Sequence, residues 1–372
     1  MSARPPFTPL IDSLPATVPF VGPETHERKI GHPFRARIGA NESVFGPSPA
    51  AIRAMQDAAP DVWKYGDPEN HDLQAALAEF HGVPFECITV GEGVDAMLGN
   101  LVRLVVVEGT PVVTSHGAYP TFNYHVAGFG GKFEFVPYVE DREHPDGLIA
   151  RAKETRSPLI YFANPDNPMG SWHDAGTVQR LMESVPEGAI LCLDEAYIEL
   201  APEGTAPPLD VSNPRVIRFR TFSKAHGMAG ARVGYGIAHP EIAGAFNKIR
   251  NHFGVNRIAQ AGAMAALKDQ AYIAQVQHWV GEARDRIGQI AEANGLKPLP
   301  SATNFVAVDC GRDGAFATRV KDELVARGIF VRMPFVAPQN RCIRISAGKP
   351  EHLDALAETL PEALRAADSV AA

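Results

Sequence analysis

A lysine that does covalent chemistry needs a dry, cationic setting, and one segment of this chain offers it. The run RVIRFRTFSK (215–224) alternates apolar residues and ends at Lys224, which places that amine on a loop at a strand end. An amine forming an imine must attack in its neutral form, and desolvation and nearby cations favour that form. Ser223 and Arg232 flank it in TFSKAHGMAGARVGYG (221–236). A hydroxyl and a guanidinium at this spacing suit a phosphate dianion, which arginine can bind bidentately. Gly227, Gly230, Gly234 and Gly236 allow close backbone approach. Alone, the same lysine reads as a surface residue in a Gly-rich turn, so its weight depends on agreement with other segments.

Five further segments set a polar group within or just after an apolar strand. In CLDEAYIEL (192–200), Asp194 closes an apolar run, where a carboxylate is costly unless paired. A pyridinium nitrogen would be a suitable partner, and a loop cap or a magnesium ligand are the competing roles. Tyr197 lies three residues on. NPDNPMG (164–170) is a double Asn-Pro turn that gives the Asn167 side chain a defined direction, or is simply a rigid turn. GEGVDAM (91–97) joins a strand to a helix, so Gly93, Val94 and Asp95 can present N–H groups to a phosphate. It also fits a dinucleotide fingerprint, but the next strand, PVVTS, ends in Ser115 and His116 instead of an acid. Tyr119 in HGAYPTF can stack on a flat ring or serve as half-buried packing. Arg344 in RCIRISAG alternates with isoleucines, so one strand face presents it either to a cleft, as a carboxylate clamp, or to water.

The elements that position these groups alternate between helix and strand. SPAAIRAMQDAA (48–59), ENHDLQAALAEFHG (69–82) and DAGTVQRLMESV (174–185) read as helices, and ECITV, TPVVTSH, SPLIYFANP and GAILCLDEA as buried strands. That alternation predicts an α/β fold with a mostly parallel sheet covered by helices, binding ligands beyond the carboxyl ends of its strands. After about 250 the pattern changes. Residues 256–295 read as one long helical stretch, followed by strands NFVAVD, IFVRM (329–333) and RCIRISAG and a last helix near 350–366. The expected division is an irregular Pro-rich arm (1–35), a large domain (36–250) and a smaller α+β C-terminal domain (251–372).

Composition narrows the class. The chain has 372 residues, 45% hydrophobic and 21% charged, with a formal net charge of -8 and no basic block. That argues against nucleic-acid binding. Cys87, Cys192, Cys310 and Cys342 form no C-x-x-C pair, and the histidines form no metal-ligand spacing, so neither a disulfide framework nor a metal site is expected. No apolar run has the length of a signal peptide or a membrane span, which makes a cytoplasmic enzyme the expectation.

Taken together and in order, ANES, YGDPEN, the glycine cup, AYPTF, NPDNPMG, LDEAY, TFSKAHGMAGARVGY and IRISAG resemble the fold-type I pyridoxal-phosphate aminotransferases, within their histidinol-phosphate aminotransferase-like branch. The resemblance runs from residue 39 to 348. It implies pyridoxal 5'-phosphate as cofactor, carried by Lys224 as a Schiff base, with the same lysine acting as the base in a proton shift. It further implies Asp194 on the pyridinium, Asn167 and Tyr197 on the ring oxygen, and Tyr119 stacked on the ring. Gly93, Val94, Asp95, Ser223 and Arg232 would bind the phosphate, with Thr221 close by. Tyr65 would reach the cofactor of a neighbouring subunit, implying a homodimer. Arg344 would clamp the substrate α-carboxylate, and Asn41 of ANES would also be substrate-binding.

The chain departs from that branch at several places. Arg332 in FVRMP stands where those enzymes bind the substrate phosphate, but Phe20 stands where their N-terminal arm carries a tyrosine, and a phenyl ring cannot donate a hydrogen bond. Met169 replaces a threonine, and His252 and Gly254 alter the R-x-P-F-N-V pattern. The expected reaction is amino transfer from an amino acid or amine phosphate to a 2-oxo acid such as 2-oxoglutarate. An aromatic amino acid aminotransferase and a threonine-phosphate-type decarboxylase are the alternatives.

Overall fold

In the computed structural model, residues 6–16 and 20–369 are described. Seven strands form the central sheet, in the spatial order Ile88–Gly91, Gly234–Ala238, Val216–Thr221, Ile190–Asp194, Leu159–Ala163, Pro111–Ser115 and Lys132–Val136. All neighbours run parallel except Gly234–Ala238, which is antiparallel to both of its partners. The unbroken apolar runs follow from burial on both faces. Leu159, Tyr161 and Ala163 pack into one core with Leu98, Leu101 and Phe122, while the alternate residues Ile160 and Phe162 pack into another with Leu148, Val178 and Leu193. Helices cross over between strands, among them Gly93–Val105 and Ala175–Glu183, the latter capped by Asp174 through Thr177 N–H. The α/β class and the mostly parallel sheet expected from the sequence are the observed ones.

A second unit is built from Lys297–Pro298, Phe305–Asp309 and Cys342–Ser346, an antiparallel sheet under the helices Gln270–Ala293, Gly314–Ala326 and Pro350–Ser369. Its core includes Val276, Ile287, Val308, Leu324, Ile343 and Leu356, and also Ala36 and Ile38 from early in the chain. Ala36–Arg37 pairs in parallel with Ile329–Phe330, which ties the segment leading to Asn41 to this unit.

Three local expectations are corrected. Residues 1–5 and 17–19 of the arm lie outside the described residues, and the rest is not irregular throughout: Pro9–Ser13 and Pro23–Ile30 are helical. Prolines that read as breakers sit at the first helical position, where a missing N–H costs nothing. The stretch 256–295 is two helices, Arg257–Lys268 and Gln270–Ala293, because the Asp269 side chain accepts from Tyr272 N–H and starts a new helix. In IFVRM only Ile329–Phe330 is strand, followed by an isolated bridge between Arg332 and Arg344. Pro334 stops further pairing.

Candidate active site

The carboxyl ends of Leu159–Ala163, Ile190–Asp194 and Val216–Thr221 open onto a cavity of about 110 Å³. Its floor is Asp194, buried and, among the described residues, without a cation in salt-bridge contact. One carboxylate oxygen accepts from the Tyr161 hydroxyl at 2.8 Å and the other from Ala196 N–H at 3.0 Å. Burial raises this carboxyl to about 6, although both hydrogen bonds pull the other way.

Lys224 follows Val216–Thr221 on the adjoining loop, as expected of a strand-end lysine. Its Nζ donates to the backbone oxygen of Asn41 at 3.1 Å and lies 5.5 Å from the centre of the Tyr197 ring. Burial lowers the ammonium to about 8; Asp95 opposes that shift, and Arg344 and Arg232 assist it. The amine is therefore neutral far more readily than a solvated lysine.

At the other end of the cavity the helix Gly93–Val105 begins. Gly93 has φ +78, and a Cβ there would lie 2.6 Å from Arg232 Nη2; one at Gly234 would lie 2.9 Å from Val94 N. The close approach of the arginine to the helix start thus depends on missing side chains. Arg232 is itself left-handed, with φ +58, and its Nη1 lies 3.5 Å from Ser223 Oγ. Ser223 Oγ in turn accepts from the Thr221 hydroxyl at 3.0 Å. These groups form a cup of hydroxyls, helix N–H groups and a guanidinium, a donor set that fits a phosphate. Asp95 contributes a carboxylate to its rim, accepting from the Tyr119 hydroxyl at 2.7 Å and lying 3.7 Å from Arg232 Nη2.

A second cavity, of about 380 Å³, shares Asp95, Tyr119, Asn167 and Lys224 with the first. Arg344 lines it from the smaller unit. Nη1 of this buried arginine donates to Asn167 Oδ1 at 2.6 Å, and its Nε has no partner among the described residues. Burial brings the guanidinium down to about 10. Arg332 stands beside it, donating to Val21 O at 3.0 Å with Phe20 5.7 Å from its guanidinium carbon. Asn41 joins the two cavities: its Nδ2 donates to the Tyr197 hydroxyl at 2.9 Å, which Asn167 Nδ2 also approaches, at 3.5 Å.

Thus Val94, Asp95, Tyr119, Asn167, Asp194, Tyr197, Thr221, Ser223, Lys224 and Arg232 line the first cavity, with Gly93 behind Arg232, and Phe20, Asn41, Arg332 and Arg344 line the second. Tyr65 is not brought to either; it is 77% exposed, with its ring 4.7 Å from Phe253. Reading the sequence missed Tyr161, which looks like core within LIYFA. The register pairs Tyr161 with Cys192, two residues before Asp194, so both side chains share a sheet face. It also missed Glu143, buried behind the turn and accepting from Ser115 Oγ at 2.6 Å and Ala163 N–H at 2.9 Å.

The chain is similar to known proteins along most of its length. The histidinol-phosphate aminotransferase of Moorella thermoacetica is 31% identical over 345 residues, covering 92% of this chain and 88% of that protein. That of an Anaeromyxobacter species is 34% identical over 330 residues, covering 86% and 90%. The crystal structure of histidinol-phosphate aminotransferase from Sinorhizobium meliloti in complex with pyridoxal-5'-phosphate superposes with a TM-score of 0.95 at 56% identity, covering 98% of this chain and 99% of that one. Residues 37–360 match the family model of the class I and II aminotransferases, and this chain is a member of that family.

Proposed function

We propose that this aminotransferase uses pyridoxal 5'-phosphate to move an amino group from histidinol phosphate, or a closely related amine phosphate, to a 2-oxo acid such as 2-oxoglutarate. The observation that carries it is the alignment, in one cavity, of a buried unpaired carboxylate, a lysine shifted toward its neutral form and a phosphate cup. When bound, the cofactor supplies an aldehyde that condenses with amines and a ring that takes up an electron pair. Lys224 Nζ anchors it and then carries the proton that moves at the substrate carbon. Asp194 holds the ring nitrogen's proton, and a cationic partner there relieves the burial penalty on its carboxyl. Gly93, Val94, Asp95, Thr221, Ser223 and Arg232 hold the phosphate. Asn167 and Tyr197 orient the ring through its oxygen, and Tyr119 packs on its face.

Arg344 and Arg332 stand side by side in the substrate cavity, with Asn41 and Phe20 completing its lining. Both partners of the proposed reaction carry anionic groups for these guanidiniums. Phe20, which cannot donate to a phosphate, favours as a second reading an aromatic amino acid as donor. We also propose a homodimer in which exposed Tyr65 reaches the cofactor of the second copy, a boundary near 250 between the large and small domains, and a cytoplasmic location. Among the described residues no helix is long and apolar enough to cross a membrane.

The test is a half-reaction of the PLP-loaded protein with single donors. Histidinol phosphate should convert the near-visible cofactor band to the pyridoxamine band, and 2-oxoglutarate should restore it. Conversion by aromatic amino acids but not by histidinol phosphate would establish the second reading. Carbon dioxide released from threonine phosphate without that conversion would point to decarboxylation.

A further inference from the structure

The lining of the substrate cavity contains an amide with no assigned work. Asn123, on the helix Pro120–Gly128 directly after Tyr119, lines this cavity, and its buried Oδ1 has no hydrogen-bond partner among the described residues. A buried carbonyl oxygen left unpaired is costly, and such a group is usually completed by what binds there. The same lining also carries aromatic and apolar side chains. His116 and Phe135 belong to the same cavity, their rings 5.0 Å apart, and Phe335 and Val336 belong to it as well.

We infer that Asn123 is a specificity-determining residue that accepts a hydrogen bond from the ring N–H of the amino donor. This rests on the donor proposed above, which carries three groups that must reach three places. The amine has to meet Lys224, and the phosphate is taken by Arg344 and Arg332. What is left for the azole ring is the rest of the lining, which includes Asn123, His116 and Phe135. A neutral imidazole presents one N–H donor and one acceptor at its edge and an apolar face, and a cavity that carries both an amide and aromatic rings answers both features. A site built around a substrate hydrogen bond rejects an analogue that lacks it, because its own polar group is then left unpaired.

The experiment compares Asn123→Ala with the native holoenzyme, using histidinol phosphate and phenylalaninol phosphate as donors. Both donors carry the amine and the phosphate, but only the first has a ring N–H. The native enzyme should favour histidinol phosphate. The variant, with its cofactor band intact, should lose roughly tenfold or more in kcat/KM for histidinol phosphate and change by less than about threefold for phenylalaninol phosphate. Asn123→Asp, which keeps an acceptor, should retain the preference for the azole. A parallel fall for both donors, or no fall, would overturn the assignment of Asn123 while leaving the proposed donor standing. A native enzyme inert toward histidinol phosphate would overturn both.

Discussion

Asp194 and Glu195 are neighbours in sequence, both buried, and chemically opposite. Strand alternation sends them to different faces of the sheet. Glu195 meets Arg218, with contacts of 2.6 and 3.0 Å, and Arg220 at 2.9 Å. Burial alone would raise its carboxyl, but Arg220 and Arg218 outweigh that and hold it below the usual range. Asp194 meets only neutral donors and is pushed up to about 6. The same contrast separates the arginines. Arg218 is fully paired with a carboxylate, whereas Arg344, also buried, has a neutral amide and an unpartnered Nε. A closed ion network is complete without a ligand; a buried charge lacking its counter-charge marks where a ligand's charge belongs.

Substitutions on the two faces should break in different ways. Glu195→Gln keeps the shape but leaves two buried guanidiniums unpaired, and should cost about 3–5 kcal/mol of stability, read as a lower denaturant midpoint. Asp194→Asn removes a buried charge that lacks a partner, so the cofactor-free protein should be no less stable at pH 7. Its half-reaction should nevertheless slow by about a hundredfold, the scale of a lost charged hydrogen bond. Equal destabilisation by both variants would erase the distinction between the faces.

Arg344→Ala sharpens the comparison from the substrate side. It should raise KM for the amino donor by roughly 1.5–3 kcal/mol while leaving cofactor affinity nearly unchanged. An unchanged KM would remove Arg344 from the substrate site.

The smallest effect is a pH dependence. Because Lys224 is lowered to about 8, its neutral fraction in the folded protein grows as pH rises through about 8. Capture of added cofactor by the cofactor-free protein should accelerate over that range. In the same protein the unfolded chain still holds its lysine proton above pH 8, so this residue makes the fold more stable as pH rises from about 8 toward 10.5. A capture rate that is flat across pH 8 would argue against a titrating Lys224.

Much of this site was legible in the sequence because its groups sit where period-2 runs stop. Lys224, Asp194 and Asn167 follow apolar strands, and a parallel sheet aligns such ends along one edge. The separation of Asp194 from Glu195 was not legible, since it depends on Arg218 lying in register with Leu193. Tyr161 was hidden within its apolar run for the same reason. Asn41 lies 183 residues from Lys224, so its contact with the amine is purely tertiary. In the arm, local composition misled: Pro9 and Pro23 begin helices that the same residues would break one turn later.

Everything assigned to the first cavity depends on Lys224 being the cofactor's anchor. Saturating the protein with pyridoxal 5'-phosphate, reducing it with borohydride and sequencing the labelled peptide by mass spectrometry tests that assignment directly. The label should fall on Lys224 within residues 221–236 and be absent from Lys224→Ala. A label on another lysine, or one that persists in the variant, would contradict it.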